Sequence, residues 1–356
     1  MYAYTIRRLF LMIPTIVGVI FISFVISNFV PGGPVDRMVA QIQGAAGGNG
    51  AAEAGGSSGG SSETRARGLQ GFDPGIRKEI EKQFGYDKPV WERFWLLLEG
   101  YATFDMGRSL FSQIPVGTLI EQKLPVSISL GVWMTLLSYL ISIPLGIRKA
   151  VRDGSRFDVG TSFAVSVGFA IPSFLWAVLL ATLFCSANFP LFPQRGLTSD
   201  NFAQLSLLGK VGDYLWHIAM PVAALTLGSF ATVTALTKNA FIDEINKSYV
   251  LTARMKGLTE RRVLYGHLFR NSMMIVIAGF PSAFVGAFFT GALLIEYIFS
   301  LDGLGRMSYE AVINRDYPIV FANIYIFALI GLVVNLISDL TYTWIDPRID
   351  FERREV

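Results

Sequence analysis

One stretch of this 356-residue chain, residues 238–270, combines charged, polar and apolar side chains at spacings that suit gripping another protein. Tyr249-Val-Leu-Thr-Ala-Arg-Met-Lys-Gly257 reads as a short helix over 249–256, closed by Gly257 in the left-handed conformation that C-terminal caps favour. Thr259 then stands as the N-cap of a second helix. In it, apolar Val263, Leu264, Leu268 and Phe269 recur beside Arg261, Arg262, His267 and Arg270. Two short amphipathic helices joined at a glycine form a knob suited to a groove on a partner, which is recognition chemistry rather than bond-making. A connector that only reverses the chain needs a handful of residues. Loops on the cytoplasmic side of a membrane are basic in any case, which accounts for the arginines but not for the length or the central glycine.

No catalytic set accompanies the connector. The sequence holds no GxxxxGK[ST] phosphate loop, no HExxH and no G-x-S-x-G, so no catalytic residue is expected. His217 and His267 are far apart, and Cys185 is the single cysteine, which leaves no metal site and no intrachain disulfide in prospect. Energy for uphill movement would have to come from another chain.

Composition then sets the frame that must position this knob. The chain is 52% hydrophobic and 16% charged, too apolar for an ordinary soluble domain, and its net charge of +3 gives no footing for nucleic acid. Six charge-poor runs are long enough to cross a hydrocarbon core: 9–30, 124–147, roughly 159–183, 214–237, 271–295 and 317–338. The expected fold is therefore an all-α polytopic membrane protein with six transmembrane helices. Arg7 and Arg8 before the first run suggest a signal peptide. However, that run is too long for one and no small-residue cleavage site follows, so the first span is read as retained.

Lys and Arg counts in the short loops give the orientation. With the N-terminus inside, the inner segments hold sixteen and the two short outer loops four, namely Arg195, Lys210, Arg306 and Arg315. Both termini and the connector are thus expected in the cytoplasm. Residues 1–30 form the N-terminal segment and first span, 31–123 a long periplasmic loop, and 124–356 a five-helix core carrying the connector.

The long loop divides in two. Residues 44–62 hold eight Gly, five Ala and four Ser with one charge, Glu53, which reads as a flexible linker or insertion. Asp73 and Pro74 then open a helix well, and Trp91, Phe94, Trp95 and Leu98 fall at helical spacing. That second stretch suits either the membrane interface or packing against the spans.

The spans lack Asp, Glu, Lys, Arg and His well inside; His217, Glu296 and Asp339 sit near the ends. This argues against a proton-coupled carrier. They do carry hydroxyls, among them Ser127, Ser129, Thr135, Ser138 and Ser142 in the second, and Thr226, Ser229, Thr232 and Thr234 in the fourth. Helix packing accounts for each of these as readily as pore lining does.

Tyr249-Val-x-Thr-Ala-Arg-x-Lys-Gly257 with His267-x-x-Arg270-Asn271 resembles the cytoplasmic EAA loop of ABC-importer permeases of the dipeptide/oligopeptide class. Leu251 and Thr252 stand where the general motif has Glu and its first Ala, whereas Ala253 and Gly257 match. Similarity extends along most of the chain. It includes Pro31-Gly-Gly-Pro34, Gly85-Tyr-Asp-Lys-Pro89, Phe104-Asp-Met-Gly-Arg-Ser109, Leu124-Pro-Val-Ser127 and Ala170-Ile-Pro-Ser173. It continues through Ile295-Glu-x-x-Phe-Ser-Leu-Asp-Gly-Leu-Gly305 and Arg315-Asp-Tyr-Pro318. The glycine-rich insertion, residues 148–158 and the closing Asp346-Pro-Arg-Ile-Asp-Phe351 look closest to the branch associated with oligopeptides and peptide-like antibiotics of the microcin C kind.

The resemblance implies a type I ABC-importer permease in the bacterial inner membrane. It implies pairing with a second homologous permease, with ABC ATPase subunits and with a periplasmic substrate-binding protein. It also implies that Tyr249, Thr252, Ala253, Arg254, Gly257, Glu260 and His267 belong to the ATPase-coupling loop. ATP and Mg2+ would be used by the partner ATPase, with no cofactor on this chain. Two alternatives stay open: the same fold importing another small solute such as a nickel chelate, and a passive channel or scaffold. The pathway residues are not assigned.

Overall fold

The computed structural model describes residues 2–29, 88–186, 189–290 and 292–345. The insertion at 44–62 and the helix expected from Asp73 lie outside the described residues. The described chain is helical, with an isolated bridge between Arg108 and Pro115. It forms two compact units, one drawn from Met1–Met12, Glu121–Tyr309 and Phe327–Val356, the other from Ile13–Ile120 and Glu310–Ile326. Four helical stretches are long and apolar enough to cross a membrane: Tyr4–Ile26, Val116–Val151, Leu207–Ile245 and Tyr317–Thr341.

The helices are α1 (Tyr2–Phe29), α2 (Val90–Ala102), α3 (Val116–Val151), α4 (Arg156–Ala170), α5 (Ser173–Phe184) and α6 (Leu207–Ile245). After α6 come α7 (Ser248–Met255), the three-residue α8 (Glu260–Arg262), a π segment (Val263–Leu268) and α9 (Phe269–Ala278). They are followed by α10 (Phe280–Thr290), α11 (Ala292–Ile298), α12 (Leu304–Asn314) and α13 (Tyr317–Ile345).

Two of the runs expected as single spans are interrupted. The third is split into α4 and α5, bent by 93°. Pro172 removes a backbone donor and pushes Ile171 out of the helical region, to φ −89° and ψ 120°, so the helix cannot continue through it. The bent pair counts as a fifth crossing only if taken as one broken span. The fifth run is carried by α9, α10 and α11 in succession.

In the first unit, α3 and α6 approach closely through small residues. A Cβ on Gly146 would lie 2.6 Å from the Thr237 Cβ. Ser138 and Ser229 share a hydrogen bond at 3.0 Å, and the Ser142 hydroxyl donates to the Phe230 carbonyl at 2.8 Å. Without water to compete, such contacts replace the hydrophobic effect as the packing force. One apolar core joins Leu130, Ala177, Ile218, Leu225 and Phe299, with Cys185 buried as a small packing residue. A second core lies under the connector and is described below.

In the other unit, α2 lays Phe94 against Phe21 and Phe24, at 5.6 and 5.5 Å between ring centroids. Tyr101 stacks edge-on with Tyr325, whose hydroxyl donates to the Tyr101 carbonyl at 3.1 Å. The helix therefore packs on a span through one face, while Trp91 and Trp95 stay exposed on the other.

Candidate functional site: the connector after α6

α6 is 39 residues long, about 58 Å at 1.5 Å per residue, and so outruns an apolar core of about 30 Å. Its last turns leave the apolar zone and lead into α7 through Asn246 and Lys247. The turn is held by Glu244: Tyr249 donates to Oε2 at 2.5 Å, and Lys247 pairs with Oε1. Burial raises the Tyr249 phenol above its ordinary value, and the bond to the Glu244 carboxylate adds to the shift.

α7 ends as the sequence predicts. Gly257 adopts φ +74°, and two bonds close the helix: Gly257 N–H to Arg254 O at 2.9 Å and Leu258 N–H to Ala253 O at 3.4 Å. This is the Schellman pattern, with glycine at the left-handed position and an apolar residue following it into the core. Thr259 sits at the start of α8 in extended conformation, but its side chain makes no capping hydrogen bond. The expected second short helix does not stand alone, because α8 runs through the π segment straight into α9. In that segment the i→i+5 bonding widens the turn, so Val263 and Leu268, five residues apart, are both buried.

The underside of the connector is apolar. Val250, Ala253, Val263 and Leu268 join Phe241, Val233, Ile147, Met273 and Val276 in one buried cluster, with Tyr249, Leu258, Leu264 and Phe269 at its margin. Ala253 therefore faces inward and anchors the knob. The outer face holds Leu251, Thr252, Arg254, Met255, Lys256, Gly257 and Glu260, all exposed, with His267 exposed on the π segment. Arg254 reaches across Gly257 to Glu260 with two bonds, Nε to Oε1 at 2.9 Å and a terminal nitrogen to Oε2 at 3.2 Å. Leu251 and Met255 are 58% and 72% exposed one helical turn apart, an apolar pair flanked by charges. In the sequence Leu251 stands out only as a departure from the family motif, and Met255 is not singled out. Their spacing against buried Val250 and Ala253 is the signal that marks them.

Beside this core lies a buried charge cluster. Lys149 on α3 pairs with Asp158 Oδ1 on α4 at 2.9 Å and donates to the Asp158 carbonyl, Thr161 and Ser162. Lys238 on α6 pairs with Asp158 Oδ2 and with Asp153, each at 2.8 Å. Hydrogen bonds from Lys238, and next from Lys149, hold the Asp158 carboxyl far below the usual carboxylate range. Lys149 counts in the sequence only as one of many loop cations, yet it is buried and ties α3 to α4, while Lys238 joins α6 to the same Asp158. Among the described residues no group of three His, Cys, Asp or Glu is placed to hold a metal.

The arrangement makes no chemistry of its own; it presents a rigid, glycine-jointed knob on a buried base. Comparison with known proteins agrees with its setting. Residues 142–351 match the family described as binding-protein-dependent transport system inner membrane component. The chain is 59% identical to the peptidoglycan transport system permease protein YejB of Agrobacterium fabrum, over 99% of this chain and 100% of that one. It is 52% identical to the inner membrane ABC transporter permease protein YejB of Escherichia coli O157:H7, with the same coverage. Against the oligopeptide transport system permease protein AppB of Bacillus subtilis it is 31% identical, again over 99% of this chain and 100% of the relative. The chain belongs to the binding-protein-dependent transport system inner membrane component family, within its peptide-class ABC permeases and alongside the YejB proteins.

Proposed function

We propose that this chain is one of two paired permease subunits of an ATP-driven importer for oligopeptides and peptide-like compounds. Six spans cross the bacterial inner membrane with both termini in the cytoplasm, and the loop over residues 31–123 lies in the periplasm, where a substrate-binding protein delivers cargo. Separate ATPase subunits bind and hydrolyse ATP with Mg2+; this chain binds no cofactor. α7 and the turn at Gly257 fit a cleft of an ATPase subunit, so that ATPase closure is transmitted into α6 and α9. The 59% identical relative is named for peptidoglycan transport, which adds peptidoglycan material to the cargo class proposed for this chain.

The observation that carries the reading is the division of α7 into two faces. Val250 and Ala253 are buried under it, while Leu251, Met255 and Arg254 stand exposed above it. A helix whose far face is already satisfied and whose near face shows an apolar pair is built to be gripped. Replacing Gly257 by Val tests this, because a β-branched residue resists φ +74°. Uptake of a defined peptide should fall strongly, and the ATPase should co-purify less well, with the permease still inserted in the membrane. Undiminished uptake and association would refute the coupling role. For cargo, growth on defined peptides and on peptidoglycan-derived peptides, with and without this chain, should depend on its presence.

A further inference from the structure

Midway along α3 and α6, the first unit has a partly open cavity of about 500 Å3. That is within the range of about 300–1,000 Å3 typical of small-molecule sites. Its polar walls come from Thr135 and Ser138 on α3, Ser173 at the start of α5, Ser229 and Thr232 on α6, with Gly286 of α10 opposite. No Asp, Glu, Lys, Arg or His is among the described residues that line it.

Two further features point to an occupant. The first is the 93° break between α4 and α5, whose Ile171, Pro172 and Ser173 form part of the wall. Non-helical backbone inside a membrane protein is tolerated where it is buried in protein or lines a cavity, and broken helices are where carriers present backbone groups to cargo. α5 starts there without a side-chain cap; Leu175 and Trp176 N–H turn back to the Pro172 carbonyl at 2.9 and 3.3 Å, which leaves the Ser173 and Phe174 N–H groups as donors. The second is the state of the hydroxyls. Ser138 and Ser229 satisfy each other, and Thr135 donates to the Gly131 carbonyl at 2.7 Å. Ser173 and Thr232 have no hydrogen-bond partner among the described residues.

We infer that this cavity is the segment of the pathway where the chain touches its cargo, and that it reads the neutral backbone of an extended peptide while ignoring side-chain charge. Free N–H donors match peptide carbonyls, and hydroxyls match both carbonyls and N–H groups. A wall without charge neither attracts nor repels a Lys or a Glu on the peptide. The inference rests on the importer reading above and adds to it the residues and the selectivity rule.

The test uses the complete transporter and two matched short peptides, one carrying Lys and one carrying Glu. Thr232→Asp should raise the Lys-to-Glu uptake ratio about tenfold over wild type, the scale of one partly screened charge contact, and Thr232→Lys should lower it by about as much. Gly286→Leu provides a second route, since a Cβ there meets no atom within 4 Å and its side chain would occupy the cavity without moving the backbone. It should abolish uptake of longer peptides before shorter ones. Membrane level and co-purification with the other subunits are measured for every variant. Unchanged charge ratio and length profile in assembled variants would overturn the assignment. So would loss of association with the second permease, which would make the cavity wall a subunit interface. Failure of the wild-type transporter to take up either peptide would instead sink the importer reading, and the cavity assignment with it.

Discussion

Ser127 on α3 donates its hydroxyl to Glu296 Oε1 on α11 at 2.6 Å, and the same hydroxyl oxygen accepts the Leu304 N–H at 2.8 Å. Glu296 Oε2 accepts the Arg306 N–H at 2.8 Å, so one buried carboxyl closes the start of α12. The turn that makes this close approach needs Gly303, where a Cβ would come within 2.4 Å of the carboxylate. Glu296→Ala should therefore lower stability by about 1–3 kcal/mol, because it leaves buried donors unpaired. Gly303→Ala should cost a similar amount by forcing the carboxyl away. Thermal unfolding of the purified protein in detergent measures both, and unchanged melting would contradict the closure role.

Asp158 holds two lysines, and Lys149 has little other charge compensation. Asp158→Asn should destabilise by about 3–5 kcal/mol, the cost of stranding a buried charge. The folded carboxyl titrates below its unfolded value of about 3.9. Its stabilisation is then fully present above that value and is lost as pH falls through the lower folded value. The melting temperature of the wild type should show no loss from this cluster between pH 8 and pH 5. A decline over that interval removed by Asp158→Asn would contradict this sign.

Arg254 and Glu260 form an exposed pair, so its contribution to stability should be under about 1 kcal/mol. Its expected effect is on transmission, because the two bonds fix the angle of the chain across Gly257. Arg254→Ala should leave membrane level unchanged and reduce uptake per ATP hydrolysed. The double exchange Arg254→Glu with Glu260→Arg should recover most of the coupling. No recovery would mean that Arg254 acts on the ATPase directly.

Asp316 joins two motifs that are far apart in sequence. Its Oδ2 accepts the Ser109 hydroxyl at 2.6 Å and its Oδ1 the Leu110 N–H at 3.2 Å, while the Ser109 oxygen accepts from Phe111 and Ser112. Asp316→Ala should raise hydrogen exchange at the Leu110, Phe111 and Ser112 amides by at least about tenfold, the effect of losing roughly 1.4 kcal/mol of local protection. Protection equal to wild type would show that the loop is held by other contacts.

Much of this is legible in the sequence. Hydropathy located the apolar runs because the bilayer demands length, and Gly257 was readable because a left-handed cap needs a residue without a Cβ. The break at Pro172 was also written in the sequence, but a long charge-free run conceals it, since composition is blind to direction. Burial on the connector was not legible: Ala253 matches the family motif and suggests contact with a partner, yet it faces the core, whereas Leu251 departs from the motif and is exposed. Lys149 was hidden for a related reason. Counting cations treats every lysine near a span as solvated, and only tertiary contacts with Asp158, Thr161 and Ser162 distinguish one that is not.

α6 carries the cavity hydroxyls Ser229 and Thr232 near its middle and delivers α7 at its end. From Thr232 to Ile245 the rod is about 20 Å long, so a tilt of about 10° at the cavity would sweep its tip by some 3–4 Å. No chain of relayed side-chain movements is needed between the two places. On the proposed coupling role, the helix itself would set the gear ratio, converting a displacement of ångströms at the knob into a small rotation at the wall.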